Sequence, residues 1–199
     1  MRRQRSEREN FLEGSARCAP GTGQNVPHRA QSITRHPYTM FDRHIVEDLM
    51  KALIVYNSIA QGNTEKVARV IAEVLEARLV KPSECALESL REFDVVGFGS
   101  GIYFEKYHRG LRDMVQRLSD AEGRKTFVFS TSGCGDPRYN KPFAKLLSEK
   151  GFSVVGTFTC KGFDNYGFVK RIGGVSKGRP DKNDLERARS FAMSLKKKG

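Results

Sequence analysis

The sequence predicts a three-layer α/β domain over residues 50–199, a doubly wound, five-stranded parallel sheet with helices on both faces. Three observations carry this reading. Five short apolar runs recur: "KALIVYN", "ARLVK", "FDVVGFG", "KTFVFST" and "FSVVGTFTC". Helical patterns follow them, and strands apolar on both faces imply a parallel sheet covered on both sides. Composition also changes near Met50, with no Lys before Lys51 and fifteen from there on.

The elements follow in order. The first strand leads into a helix whose inward face is read as Val67, Val70, Ile71, Val74, Leu75 and Leu79, at helical spacing. "ARLVK" is a short second strand closed by Pro82, and "SECALESL" is a short helical turn. After the third strand, "HRGLRDMVQRL" points Leu111, Met114, Val115 and Leu118 inward. After the fourth, "KPFAKLLSEKG" starts near Pro142 and stops at Gly151. A last helix from about residue 181 to 197 buries Leu185, Ala188, Phe191 or Ala192, and Leu195.

Residues 1–49 are expected to form a poorly ordered N-terminal extension, rich in Arg, Gln, Ser, Asn and Pro. Within it, Phe41, Ile45 and Leu49 share the face of a short helix. The 199 residues suit one domain. No apolar run reaches membrane-spanning length, and the twin Arg near the start precedes no apolar stretch. Four cysteines without paired spacing argue against a disulfide scaffold or a zinc site, so a reducing, cytoplasmic setting is expected. The chain carries a net charge of +12, of which residues 1–49 hold +2 and the body +10. That charge favours anionic ligands or partners. The basic residues are spread over several helices and no nucleic-acid motif appears, so no specific nucleic-acid partner is expected.

Three loops leave the carboxyl edge of the sheet, where such folds bind ligands. "NSIAQGNT" joins a strand to a helix. Its Ser58, Gly62 and Thr64 suit an anion at the helix N-terminus, with Asn63 or Thr64 read as the cap. It lacks the Gly-Lys-Ser/Thr of a nucleoside-triphosphate loop. "GSGIYFEKYHRG" is aromatic, and "STSGCGDPRYNKP" is small, polar and Gly-rich. Together they describe a site for a flat, phosphorylated heteroaromatic.

Residues from Met50 to about Lys197 resemble the flavodoxins, short-chain FMN-binding proteins with strand order 2-1-3-4-5 and the flavin at the switch point. "YNSIAQGNT" is similar to their phosphate loop, "DVVGFGSGIYF" to the third strand and first flavin loop, and "GCGDPRY" to the second flavin loop. The resemblance implies that Ser58, Ile59, Ala60, Gln61, Gly62, Asn63 and Thr64 hold the phosphate of FMN. It implies that Ser100, Gly101, Ile102 and Tyr103 flank one side of the ring, with Thr131, Ser132 and Gly133 on the other. Tyr139 stands where an outer stacking tyrosine is found, but the extra residues at 130–132 leave Thr131 and Ser132 as the alternative. Departures are the longer phosphate loop and the basic body, since flavodoxins are usually acidic.

The implied function is electron transfer through bound FMN with redox partner proteins, and the charge favours acidic ones. The alternative is a flavodoxin-like, quinone-dependent protoporphyrinogen oxidase, which "GIYFEKYH" also resembles, or another FMN oxidoreductase. A third reading is a flavin-free binding module. No catalytic residue is assigned: His108 reads as a solvated or capping residue and Cys134 as a packed loop thiol. The aromatic segment 161–180 reads as a lid or a partner surface, because loops of that length are usually functional or disordered.

Overall fold

A computed structural model describes residues 50–59 and 61–197. The expectations for residues 1–49 and for Ala60 lie outside the described residues.

The strands are β1 (Ala52–Asn57), β2 (Arg78–Val80), β3 (Val95–Tyr103), β4 (Lys106–Tyr107), β5 (Lys125–Ser132) and β6 (Ser153–Lys161). The helices are α1 (Asn63–Leu75), α2 (Arg109–Gln116), α3 (Asn140–Glu149) and α4 (Lys182–Lys196). Five strands pair in parallel in the order β2-β1-β3-β5-β6. This is the expected 2-1-3-4-5 order once β4 is set aside. The two residues of β4 pair antiparallel with the end of β3, Ile102 opposite Tyr107 and Tyr103 opposite Lys106. The expected third strand therefore runs four residues further and folds back as a hairpin.

Period-two alternation along β1 sends Ala52, Ile54 and Tyr56 to one face and Leu53 and Val55 to the other. The first face packs against α1 and α4 through Val67, Ile71, Leu75, Ala188, Ala192 and Leu195. The second packs through Leu111, Met114 and Val115 of α2 and Phe143 and Leu147 of α3. Both covers are apolar stripes at helical spacing, which is why the helices form where they do. The glycines of β3 serve the first face. A Cβ added at Gly97 or Gly99 would collide with the ring of Phe127 or Phe129, each lying across the neighbouring strand.

Two boundaries differ from the sequence reading. α1 stops at Leu75 because Glu76 turns left-handed, with φ 53°. Leu79 therefore belongs to β2, opposite Ile54, and not to the helix face. The turn read over "SECALESL" is a 3-10 turn at Glu88–Glu92. α4 starts with a capping box in which Asp181 and Asp184 bond each other's backbone N–H. Asp184, 1% exposed, also pairs with Arg179 at 2.7 Å. No helix among the described residues is long and apolar enough to cross a membrane.

Candidate functional site

The loop after β1 reaches α1 through Gln61 and Gly62, both left-handed at φ 54° and 67°. Gly62 is the residue before the helix, and no side chain caps it. Asn63 and Thr64, read as the cap, do other work. Asn63 Nδ2 donates to the Phe163 carbonyl at 2.7 Å. A hydrogen bond of 2.8 Å joins Thr64 Oγ1 and Thr131 Oγ1, either of which can donate, and ties the first turn of α1 to the end of β5. Among the described residues, the first-turn N–H groups thus have no side-chain acceptor, and the helix dipole adds to their pull on an anion. Ser58 Oγ and Asn63 Oδ1 are shielded from solvent and have no hydrogen-bond partner among the described residues. Buried polar atoms are rarely left so.

The hairpin of β3 and β4 forms a second wall. Ser100 is fully buried beneath it; its hydroxyl donates to the Gly101 carbonyl at 2.6 Å and accepts from the His108 N–H at 2.9 Å. Phe104 and Glu105 make the turn with φ 48° and 63°, a region that bulky residues rarely enter. Tyr107 is held from below. Its hydroxyl donates to Asn140 Oδ1 at 2.9 Å, and its ring stacks on Phe143 at 4.2 Å. Asn140 Oδ1 also accepts from Ser130 at 2.6 Å, and its Nδ2 donates to the Phe158 carbonyl at 3.0 Å. This one buried amide joins the hairpin, β5, β6 and α3. Tyr103 folds back over Gly101, with its ring edge-on to His108 at 5.7 Å. Burial raises its phenol above the usual tyrosine range, opposed by a bond with the Ile59 backbone and aided by Asp164.

Thr131, Ser132 and Gly133 form the third wall at the end of β5. The fourth is Gly162–Tyr166, the start of the long segment read as a lid or partner surface. It is pinned by the Asn63–Phe163 bond, by Gly162 N–H to the Ser132 carbonyl at 2.9 Å, and by Ser176 Oγ to the Gly133 carbonyl at 2.6 Å. Asp164 and Val175 exchange backbone bonds within it.

These walls enclose a cavity of about 610 Å³. It brings together Ser58, Ile59, Asn63, Thr64, Gly101, Ile102, Tyr103, Thr131, Ser132 and Gly133 of the expected set. Gln61 and Gly62 shape the turn without lining the cavity, and Ser100 lies below it. Tyr139 does not line it either. It sits in a 3-10 turn, its hydroxyl 3.7 Å from the Cys134 thiol, whereas Thr131 and Ser132 line the cavity. Burial opposes ionisation of the exposed Cys134 thiol, but bonds from Ser132, Tyr139 and the backbone outweigh it and hold it below the usual thiol range. Cys160, buried under α4, is pushed up to about 12, first by burial and then by the nearby Asp184. Sequence reading missed Arg112 as a lining residue and read Gly162–Tyr166 only as part of a lid or partner surface. The spacing of Arg112 from His108, one helical turn, was a usable signal. Among the described residues, exposed apolar side chains gather at the mouth: Phe104 at 84% and Tyr166 at 64%, in edge contact at 6.4 Å, with Phe168 and Ile172 beyond.

Comparison with known proteins agrees with this architecture. A family model described as a flavodoxin domain matches residues 53–172. An uncharacterized protein of Methanocaldococcus jannaschii is 39% identical over 150 residues, 74% of this chain and 99% of that protein. A flavodoxin from the domain Archaea is similar in fold at TM-score 0.59 and 19% identity, covering 75% of this chain and 98% of that one. Oxidised flavodoxin 2 of Bacillus cereus gives 0.57 and 23%, covering 75% and 99%. With the family match spanning more than half of its length, the chain belongs to the flavodoxin family.

Proposed function

We propose that the cavity binds FMN and that the protein carries electrons between redox partner proteins of the cytoplasm. One observation carries the reading. The uncapped N-terminus of α1 stands beside the unpartnered Ser58 hydroxyl, at the edge of a cavity whose other walls are aromatic and small. The residues fit the cofactor. Free N–H groups and Ser58 suit its phosphate, the unpartnered Asn63 Oδ1 suits a hydroxyl of its sugar chain, and Tyr103, Thr131 and Ser132 suit its ring. When bound, the flavin supplies one- and two-electron chemistry, while the protein sets binding, access and potential. Ser58, Asn63 and Thr64 anchor, the Asn140 network holds the hairpin at a fixed distance from β5, and the segment from Gly162 limits water. The +10 body favours acidic partners and eases charge build-up on the cofactor, by about 0.4 kcal/mol per charge at roughly 10 Å in water.

The spectrum of the protein as purified tests this first: flavin bands, released as FMN on denaturation, are expected. Colourless protein that takes up no FMN sinks the proposal. Ser58→Ala is then expected to weaken FMN binding roughly tenfold or more while leaving riboflavin binding unchanged, as for a hydrogen bond to a charged group. Equal loss for both ligands would remove the phosphate assignment.

A further inference from the structure

One cavity wall carries a charge that the phosphate end does not use. Arg112 stands on α2, one turn beyond His108, and both line the cavity. Its Nε is shielded from solvent and has no hydrogen-bond partner among the described residues. Its neighbour on the same helix, Arg109, is paired with Asp113 at 3.1 Å. Arg112 has no carboxylate at ion-pair distance among the described residues. A guanidinium N–H withdrawn from water without an acceptor is costly, and an anion in the cavity removes that cost.

The fold decides which anion. α1 packs on one face of the sheet and α2 on the other. The phosphate end belongs to α1. Arg112 reaches the cavity from the opposite face, beside Tyr103 and His108. An occupant anchored by its phosphate at α1 therefore offers its ring, not its phosphate, to Arg112. His108 supports the same polarity: its Nδ1 accepts the Gly110 N–H at 3.1 Å, which leaves Nε2 to carry the proton of the neutral ring.

Resting on the FMN reading, we propose that Arg112 is the counter-ion of the reduced flavin ring. Two electrons and one proton enter the oxidised ring, which is left with one negative charge. The guanidinium stabilises that charge and makes the cofactor easier to reduce. Oxidised flavin, whose ring is neutral, gains little.

The test compares the wild type with Arg112→Gln, Arg112→Lys and Arg117→Gln. The last removes the same charge from a position after α2 that does not line the cavity. Reductive titration with dithionite reads the two-electron potential, and fluorescence quenching reads oxidised FMN and riboflavin affinity. Arg112→Gln is expected to weaken reduced-flavin binding about tenfold relative to oxidised, which lowers the two-electron potential by about 30 mV. Arg112→Lys should recover most of that shift, and Arg117→Gln should cause much less. The ratio of FMN to riboflavin affinity should not change. An unchanged potential in Arg112→Gln overturns the proposal, as does an equal shift in Arg117→Gln. Loss confined to oxidised FMN, with riboflavin spared, overturns it too and makes Arg112 a phosphate ligand. If Arg112→Gln does not fold, Arg112→Met, of similar length and without the charge, carries the test: it must lower reduced-flavin affinity more than oxidised, and an equal loss of both overturns the proposal. Failure of the wild type to bind flavin removes the FMN reading itself, a result distinct from any variant effect.

Discussion

The interior of the sheet and its carboxyl rim follow opposite rules. In the interior, Phe127 and Phe129 lie across Gly97 and Gly99, and every large side chain is packed. At the rim, a left-handed turn is made by Phe104 and Glu105, and Ser58, Asn63 and Arg112 keep polar atoms without partners among the described residues. Large aromatics there face solvent. The interior is arranged for stability, whereas the rim tolerates strain and unsatisfied polarity where a ligand or partner can offset them.

The largest expected effect is at the joint between the two regions. Asn140→Leu leaves the hydroxyl of Tyr107 and the carbonyl of Phe158 without their amide partner, and should cost about 3 kcal/mol. Urea unfolding measures it. Loss of FMN affinity beyond the loss of stability would show that the amide also positions the hairpin. Within the interior, Gly99→Ala forces a Cβ into the Phe129 ring and should cost about 2 kcal/mol by over-packing. A midpoint within error of the wild type would mean the ring moves freely aside, against the contrast drawn here. The smallest effect is a gain. Phe104→Asn with Glu105→Gly supplies the residues such a turn prefers and should stabilise by about 1 kcal/mol. No gain would mean the turn is not strained.

The interior was largely legible in the sequence because burial on two faces writes continuous apolar runs, and the helices between them carry clear stripes. The exception is instructive: Leu79 continues the helical spacing from Leu75, but Glu76 turns left-handed between them, and periodicity does not report φ. Strand order came from family resemblance, since runs alone do not rank neighbours. The rim was read in part. Ser58, Tyr103 and Thr131, singled out in the sequence, line one cavity because their loops leave the same edge. The β4 hairpin was missed because Phe-Glu is not turn chemistry. Arg112 was not read as a lining residue because it arrives from a helix on the other face, outside the three loops taken to form the site. Asn63 and Thr64 were read as caps from residue type, and long-range bonds to Phe163 and Thr131 claimed them instead.

The attachment of the fourth wall has a consequence for how such a protein diversifies. Asn63, Gly162 and Ser176 all donate across its joints, and every acceptor is a main-chain carbonyl, of Phe163, Ser132 and Gly133. The joints thus ask little of the side chains between them. Residues 167–172, including exposed Phe168 and Ile172, are free to change with the wall still fastened. Partner choice can drift on the outer surface of this segment while its inner edge goes on closing the same cavity.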